Sequence, residues 1–371
     1  MAELALATAS EKQKWLSKAY MEYVRQSGFM PYMGKSSDAI INVKYELQEE
    51  AGKTINIPLI TRLKNGGVTG SGIMEGNEEA LGNFNCAISI DWRRNAVKVP
   101  KSTSYKTEID LWGAAKDMLK TWEAEKLRDD LTRAMLSVEL GVNYENSSAA
   151  TRNAWLVANA DRVLYGQVKS NAVSGVHATA LALVDTTNDK LTVATALLAK
   201  RMAKLANPHI RPFKIEDGRE FFVMFIGSRA MRDLTQDASM INANRDARAR
   251  ESGGMNSNPL FQDGDLIYNG VIFREVPEID DIASAAGYDG VGTASADVRP
   301  CFLCGAQALA IAWGQEPMYR TDMKSDYEFR PGVAIEELLG VRKLFFGSGA
   351  LGNLTVQHGM VTLFVAAAAD S

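Results

Sequence analysis

The sequence contains few cysteines and few histidines, and neither type is grouped as a catalytic or metal site requires. Three cysteines, Cys86, Cys301 and Cys304, occur in 371 residues. An odd, sparse set excludes a disulfide framework and favours a reducing compartment. The three histidines are scattered, so histidine-based catalysis and zinc binding are poorly supported. We therefore predict no enzyme activity, no catalytic residue, no metal ligand and no cofactor.

Long apolar runs and an excess of positive charge are also lacking. The longest apolar run, Val361–Ala369, is about half of the roughly 20 residues that a membrane-spanning helix needs. The N-terminal stretch Leu4–Ala9 is short and lacks a basic flank, so we expect neither a signal peptide nor a membrane segment. Lys and Arg number 41 against 45 Asp and Glu, which argues against tight wrapping of duplex DNA.

The composition that remains is typical of a globular protein with a sizeable core. Hydrophobic residues make up 46% and charged residues 23% of the chain, which excludes a disordered, collagen-like or rod-like protein. The length predicts two or three folding units.

A long β-hairpin is the most informative prediction. Thr54–Leu63 reads as one strand, and Phe84–Arg93 alternates apolar and polar residues as a second strand. Between them, Lys64–Gly82 contains six glycines, which predicts a mobile tip. An isolated two-stranded hairpin is marginally stable at best, so we expect a neighbouring subunit to cover it.

Two groups of residues are the candidate intersubunit contacts. The even-numbered face of the second hairpin strand is predicted to bury against an adjacent subunit, with Trp92 as the anchor. A helix near the N-terminus, which begins with a capping box at Ser10 and Gln13, is predicted to supply a second contact. The candidate residues are Phe84, Ile88, Ile90, Trp92, Trp15 and Tyr20.

The remaining elements are predicted from periodicity and from turn residues. A helical stripe over Thr107–Leu140 predicts a spine of about 50 Å. The segment 142–171 shows no clear period. Further predictions are strands at Ile41–Leu47, Phe221–Ile226, Cys301–Cys304, Leu309–Trp313, Val341–Phe346 and Val361–Val365, helices at Thr192–Ala206, Ser228–Leu234 and Val333–Leu339, a loop over Gln236–Gly264, and a hairpin turn at Asn269–Gly270.

Three short motifs are better explained by structure than by chemistry. Cys301 and Cys304 stand three apart in a predicted strand, so their side chains point to opposite faces, which favours two buried structural cysteines over a redox pair. The glycines of Gly347–Gly352 match a dinucleotide-binding pattern, but too little chain follows for the crossover unit. Gly34–Ser36 resembles the end of a P-loop, but no buried strand precedes it.

Taken in order, these elements resemble the HK97-like fold of the major capsid proteins of tailed bacteriophages. More specific support comes from Asn258–Phe261 followed by Asp265–Glu275, which is similar to a segment of a capsid family of short-tailed and related phages. The resemblance implies an α+β fold and a structural protein that assembles into the icosahedral shell around the phage double-stranded DNA. It also implies a location in the virion after assembly in the host bacterial cytoplasm.

The resemblance further implies a division of the chain and a set of partners. The segments are an N-terminal arm (1–40), an extended hairpin or E-loop region (41–106), a P-domain with the spine helix (107–215), an axial A-domain (216–335) and C-terminal strands that return to the P-domain (336–371). The partners are many copies of the chain in pentamers and hexamers, a scaffolding protein, a portal and, where present, cement or decoration proteins.

Two alternatives remain open at the level of sequence. A cellular encapsulin compartment has the same fold and encloses enzymes rather than DNA. An oxidoreductase that uses Cys301 and Cys304 is the enzymatic alternative.

Overall fold

The structure is a computed structural model that describes residues 28–45, 52–60, 63, 66–79, 83–106, 110–172, 175–214, 219–248, 261–262, 265–346 and 356–370. The described residues form two compact units. The smaller unit contains residues 92–126 and 315–338, and the larger unit contains 28–91, 127–314 and the residues from 339 onwards. The predicted N-terminal helix with Trp15 and Tyr20 lies outside the described residues.

The described strands and helices are numbered in chain order. The strands are β1 (Met33–Gly34), β2 (Ile41–Lys44), β3 (Thr54–Ile60), β4 (Asn83–Ser89), β5 (Asp91–Lys98), β6 (Val163–Tyr165), β7 (Phe213–Lys214), β8 (Glu220–Ile226), β9 (Phe261–Gln262), β10 (Asp265–Tyr268), β11 (Val271–Glu275), β12 (Val298–Cys304), β13 (Leu309–Asp322), β14 (Gly332–Lys343) and β15 (Met360–Ala366). The helices are α1 (Lys101–Ser104), α2 (Leu111–Leu136), α3 (Ala149–Ala158), α4 (His177–Ala182), α5 (Val193–Leu205), α6 (Ser228–Thr235), α7 (Ala238–Arg248) and α8 (Glu278–Ala285).

The larger unit is built around a mixed sheet in the order β6-β15-β12-β8-β11-β10-β9, with β7 paired to β8. Strand β12 is antiparallel to both β15 and β8, whereas β11 is parallel to β8. The apolar run of β8 is buried from Phe222 to Ile226 because both faces of the sheet are covered. The strand predicted at Phe221–Ile226 is therefore confirmed.

Two apolar cores cover the two faces of this sheet. Phe302 and Cys304 of β12 belong to one core, which also contains Leu131 of α2. Cys301 of β12 belongs to the other core, together with Met202 of α5. Alternation along β12 thus sends successive side chains into different cores, as the period of a strand requires.

The turn between β10 and β11 is the hairpin that the sequence predicts. Asn269 and Gly270 have φ angles of 45° and 72°, and they connect the paired residues Tyr268 and Val271. Positive φ at both central positions is the geometry that an Asn-Gly pair favours.

The smaller unit has its own core. Strand β5 lies beside β14, and β14 lies beside β13. Val333 and Ile335 of β14 are buried against Ala115 and Leu119 of α2. These residues alternate along β14, so the helix predicted at Val333–Leu339 is wrong; strand pairing outweighs the helical propensity of the segment.

The spine helix is shorter than predicted. Helix α2 runs over 26 residues, which corresponds to about 39 Å rather than 50 Å. At its start, Asp110 Oδ1 accepts a hydrogen bond from Gly113 N at 3.0 Å. At its end, Ser137 Oγ donates to Ala134 O at 2.7 Å, and Gly141 adopts a φ of 81° in the following turn. The Ser137 hydroxyl thus satisfies a backbone carbonyl of the last helical turn, where the helix ends.

One other prediction needs correction, and two helix ends are described beside it. The loop predicted over Gln236–Gly264 contains α7, whose first turn is capped because Asp237 Oδ1 accepts from Ser239 N at 3.0 Å. Leu205 is exposed at the end of α5. Ser228 does not cap α6; instead Asp280 Oδ2 accepts from both Ser228 Oγ and Arg229 N.

The segment 142–171, for which no structure is predicted from the sequence, contains α3 and β6. Ser148 caps α3 by accepting from Thr151 N at 3.1 Å.

Across the described ranges, no helix is long and apolar enough to cross a membrane.

Candidate assembly surfaces

The predicted hairpin exists, and its root is buried by the chain itself. Strands β3 and β4 pair in antiparallel register from Thr54↔Ser89 to Ile60↔Asn83. Cys86 and Ile88 are fully buried, and burial raises the pKa of the Cys86 thiol. At Gly340 a Cβ atom would lie 2.2 Å from Ser89 O, so the glycine permits the close approach of the hairpin backbone. The hairpin root is therefore part of the folded subunit.

The second predicted strand is divided at Ile90. Its backbone N–H donates to Lys53 O at 3.1 Å, which ends the hairpin. Trp92 follows in β5 and belongs to the smaller unit. The predicted face of Phe84, Ile88, Ile90 and Trp92 is consequently not one continuous surface of the hairpin.

The other end of the hairpin is exposed. We call residues 66–79 the hairpin tip; its residues up to Glu78 are all exposed, including Ile73 and Met74, which are 73% and 60% exposed. Large apolar side chains at such exposure are typical of a surface that another molecule covers.

Local hydrogen bonds order the tip without help from a core. Asn77 N donates to Met74 O at 3.0 Å, and Asn77 Nδ2 donates to Ile73 O at 2.9 Å. Glu78 Oε2 accepts from Gly76 N at 2.8 Å. These bonds present Ile73 and Met74 together on one turn.

A pocket of about 350 Å³ lies in the larger unit beside the last residues of β3. Its apolar walls include Ile60, Phe84 and Phe346, and its polar edge includes His209 and His358. The ring of Phe346 meets that of His358 edge to face, with centroids 5.1 Å apart. The complete lining is Leu59, Ile60, Phe84, Arg162, Asn207, Pro208, His209, Phe346, Val356, Gln357 and His358.

The arginines near the polar edge of this pocket are paired with carboxylates of the same chain. Burial, together with the charges of Arg162 and Arg211, lowers the pKa of His358 to about 4. Arg211 is half exposed and pairs with Asp38, whereas Arg162 is buried and donates to Asp161 and to Gln357 O. The Nδ1 atom of His358 has no hydrogen-bond partner within the described part of the chain.

The smaller unit carries a separate exposed aromatic surface. Tyr327 is 100% exposed and Tyr105 is 94% exposed. Three consecutive residues have positive φ angles between 52° and 68°: Asp326, Tyr327 and Glu328. Residues other than glycine rarely adopt such angles. A salt bridge of 3.2 Å between Arg330 and Asp326 closes this turn. A strained turn that exposes a tyrosine is a second candidate contact surface.

An ion pair supports the sheet of the smaller unit. Glu337 is almost fully buried and pairs with Arg93 of β5. Burial and the charge of Glu337 raise the pKa of Glu123 on α2.

The six candidate contact residues are placed in three different settings. Phe84 is 39% exposed at the pocket, and Trp92 is 52% exposed in the smaller unit. Ile88 and Ile90 are buried within their own subunit, so they are not available to a neighbour. Trp15 and Tyr20 lie outside the described residues.

Sequence reasoning missed Ile73 and Met74, the most exposed apolar pair of the hairpin tip. The signal was present, because Ile73 and Met74 are the only adjacent pair of large apolar residues in a segment that, apart from Val68, is made of glycine, polar and acidic residues. The glycines of the segment predict a mobile tip rather than a contact surface.

The cysteine motif has no redox geometry. Cys301 and Cys304 are fully buried in different cores, and burial strongly raises the pKa of both thiols. A raised thiol pKa removes the thiolate that redox or metal chemistry needs. The described residues contain no group of three potential metal ligands. The glycine motif Gly347–Gly352 lies outside them.

Two buried titratable groups have structural roles in the larger unit. Lys343 Nζ donates to Met135 O at 2.8 Å and to Gln357 Oε1 at 3.2 Å, and burial lowers its pKa to about 7. His177 lies between the hydroxyls of Tyr144 and Tyr165, at 3.0 and 2.6 Å, and burial lowers its pKa to about 3. Both groups are enclosed, so neither can meet a substrate.

The chain is similar to known proteins over nearly its whole length. The family model described as phage capsid protein matches residues 4–369. The major capsid protein of Pseudomonas phage KPP25 is 28% identical over 382 residues, which covers 98% of this chain and 97% of that protein. The capsid asymmetric unit of cyanophage Pam1 is 43% identical with a TM-score of 0.89, and the capsid of Ralstonia phage GP4 is 20% identical with a TM-score of 0.74. Both structures are covered in full by this chain and cover it in full.

Proposed function

Since this chain belongs to the phage capsid protein family, we infer that the exposed hairpin tip is the arm by which one copy holds the next in the shell. The chain is a major capsid protein: it forms the capsid shell, is a component of the virion, and is a structural protein rather than an enzyme. Its mixed α+β fold is that of phage capsid subunits, in agreement with the HK97-like resemblance.

One observation carries the role of the arm. The hairpin root is buried in its own subunit, whereas the tip presents Ile73 and Met74 to solvent on an ordered turn. Ordering a residue costs roughly 1–2 kcal/mol, and the tip makes no core contact that would offset this. A neighbouring copy in the shell offsets it by covering the apolar pair.

The finer organisation is proposed by analogy with the family. Copies of the chain assemble into pentamers and hexamers, because contacts between different patches of one subunit close under rotation into rings. The N-terminal arm (1–40), the E-loop region (41–106), the P-domain (107–215), the A-domain (216–335) and the C-terminal strands (336–371) are the corresponding segments. Phe84 and Trp92, which are partly exposed, are further contact residues.

The other partners are those that shell formation and genome packaging require. A scaffolding protein guides assembly in the host bacterial cytoplasm, a portal occupies one vertex, and decoration proteins bind the outside where present. The shell encloses double-stranded DNA without sequence-specific binding. The net charge of -4 supports this, because strong phosphate affinity would oppose packing and release. The family match favours a viral shell over an encapsulin compartment, and the separated cysteines disfavour an oxidoreductase.

The tip is tested by replacing its apolar pair. We expect Ile73→Ser with Met74→Ser to leave the circular dichroism of the subunit unchanged and to reduce the yield of shells at least tenfold, measured by sedimentation and negative-stain microscopy. The matched control is Ile73→Leu with Met74→Leu, which keeps the apolar surface and should assemble normally. Normal shells from the serine variant would show that the tip is not the arm.

A further inference from the structure

Lys343 is a buried amine without a counter-charge. It is the last residue of β14 and is only 1% exposed. Its Nζ atom donates to the backbone carbonyl of Met135 and to the side-chain carbonyl of Gln357. Within the described part of the chain, no carboxylate pairs with it. In such a place a charged ammonium costs far more free energy than a neutral amine.

Two features of the surroundings compensate part of this cost. Met135 O belongs to the last turn of α2, where the helix dipole is negative. The ring centroids of Phe345 and Trp155 lie 5.2 and 5.8 Å from Nζ, within the range of a cation–π contact. Burial nevertheless lowers the pKa of Lys343 from 10.5 to about 7. The amine therefore changes its charge near neutral pH.

The described groups on the neighbouring elements supply no negative charge at this pH. The Cys304 thiol on β12 acts on Lys343, but burial strongly raises the pKa of this thiol, so it is uncharged. Met135 on α2 and Trp155 on α3 have no ionisable side chain. Arg342 precedes Lys343 on β14 and points to the opposite face, because side chains alternate along a strand.

Gln357 lies between Lys343 and the pocket beside β3. Its side-chain carbonyl accepts from Lys343 Nζ, and the same residue lines the pocket, which reaches solvent at the exposed His209. Arg162, which also contacts Gln357, is paired with a carboxylate. His358 is neutral, because burial and the nearby arginines lower its pKa to about 4. Water from the pocket therefore reaches Lys343 once the Gln357 side chain moves aside.

We propose that Lys343 and Gln357 form a proton-operated gate in the core of the larger unit. The neutral amine stays enclosed behind Gln357. When the amine takes up a proton, it favours an open form in which Gln357 turns away and water surrounds Nζ. Because Lys343 joins β14 to the end of α2 and to the segment at Gln357, opening loosens the contact between these three elements. The gate is independent of the role proposed for the hairpin tip.

The direction of the pH dependence follows from the two forms. In the open form the hydrated lysine regains its usual pKa of 10.5, whereas the closed form is protonated only near pH 7. Between these values the open form binds one more proton, so its population rises by up to about tenfold per unit as the pH falls, and it levels off below pH 7. Between pH 9 and pH 7 the open population should rise about fiftyfold.

The experiment is hydrogen–deuterium exchange of the full-length, unassembled subunit at pH 7, 8 and 9, followed by mass spectrometry. The reporters are three bonded backbone amides beside the gate, those of Phe346, Gln357 and His358. After correction for the intrinsic exchange rate, we expect their protection factor to fall about fiftyfold from pH 9 to pH 7. The amides of β8 report global unfolding and should stay at least tenfold better protected. Equal protection of β8 and the reporters would overturn the gate, because exchange would then require global unfolding.

Two substitutions separate the charge of Lys343 from its hydrogen bonds. Lys343→Met keeps a long, unbranched side chain without charge, so the reporters should stay well protected at all three pH values. Lys343→Arg keeps the donors but is always charged, so the reporters should be poorly protected throughout. A role of Lys343 as a hydrogen-bond donor alone predicts the reverse order of protection, and that order would contradict the proposal.

Gln357→Glu is the matched variant on the other side of the gate. It places a carboxylate beside Nζ with nearly the same shape, which keeps the lysine charged while the gate is closed. The pH dependence of the reporters should then fall to less than about threefold. This comparison with the native chain decides the matter even if a substitution of Lys343 prevents folding. Unchanged protection of the native chain between pH 9 and pH 7, or a Gln357→Glu variant that retains the fiftyfold change, would refute the gate.

Discussion

Removal of the hairpin tip should separate folding from assembly. Ile60 and Asn83 are paired in register, so the residues between them can be replaced by Asn-Gly, which forms a two-residue hairpin turn. The described residues that this removes are exposed, apart from the half-buried Glu79, so none of these described residues belongs to the core.

The expected change in the free energy of unfolding follows from the entropy of loop closure. The entropic cost of closing a flexible loop of n residues scales as (3/2)RT ln n. Shortening the loop from about 22 residues to two therefore lowers this cost by about 2 kcal/mol, which adds to the stability of the subunit. We therefore expect the free energy of unfolding of the unassembled subunit to stay the same or to rise by up to about 2 kcal/mol. Shell formation should be lost, because the Ile73–Met74 turn is gone.

The assay is urea unfolding of the subunit, followed by circular dichroism, with shells scored by sedimentation under assembly conditions. The reasoning is refuted if the shortened hairpin lowers the free energy of unfolding by more than 1 kcal/mol, because the tip would then contribute to the subunit core. It is equally refuted if closed shells form at the usual yield.

Four further results are expected. Ile88→Ala should lower the free energy of unfolding by about 2–5 kcal/mol because it empties a buried site at the hairpin root, whereas Trp92→Ala, at a half-exposed site, should leave a folded subunit with near-normal circular dichroism and fewer shells. Gly340→Ala should destabilise by about 1–3 kcal/mol in urea unfolding, because its Cβ would collide with Ser89 O. His177 has a pKa of about 3 in the folded protein, so between pH 6.5 and 3 its side chain is protonated in the unfolded chain but neutral in the folded one. Calorimetry should therefore show the free energy of unfolding falling by about 4–5 kcal/mol as the pH decreases from 6.5 to 3. His177→Phe should flatten that dependence. Cys301→Ser with Cys304→Ser should still assemble, with a loss of about 1–3 kcal/mol per buried hydroxyl, and a thiol reagent should react with the native chain only after unfolding.

Local patterns in the sequence predicted the elements whose residues interact with near neighbours along the chain. The Asn269–Gly270 turn, the buried run of β8 and the helix predicted over Thr192–Ala206 depend on spacing and turn chemistry, and all three are confirmed. The strand character of Cys301–Cys304 is confirmed for the same reason.

The errors occurred where a distant part of the chain decides the outcome. Residues 333–339 favour a helix locally, but β5 and β13 on either side hold them as a strand. The hairpin root was predicted to need a neighbouring subunit, because the sequence does not show that the distant residue Gly340 packs closely against the backbone of Ser89. For the same reason the pocket could not be predicted: its lining comes from β3, from β4 and from residues more than 70 positions further along the chain.

The two-stranded construction of β3 and β4 has a mechanical consequence. A ribbon of two strands twists over a wider range than a broad sheet, since no third strand restrains it. Its root is fixed in a packed core, so twisting of the ribbon increases along β3 and β4 towards Ile60 and Asn83. A compliant ribbon of this kind allows one amino-acid sequence to meet neighbours at slightly different angles. Under the proposed assembly, rings of different size can then be built from identical subunits whose cores do not change shape.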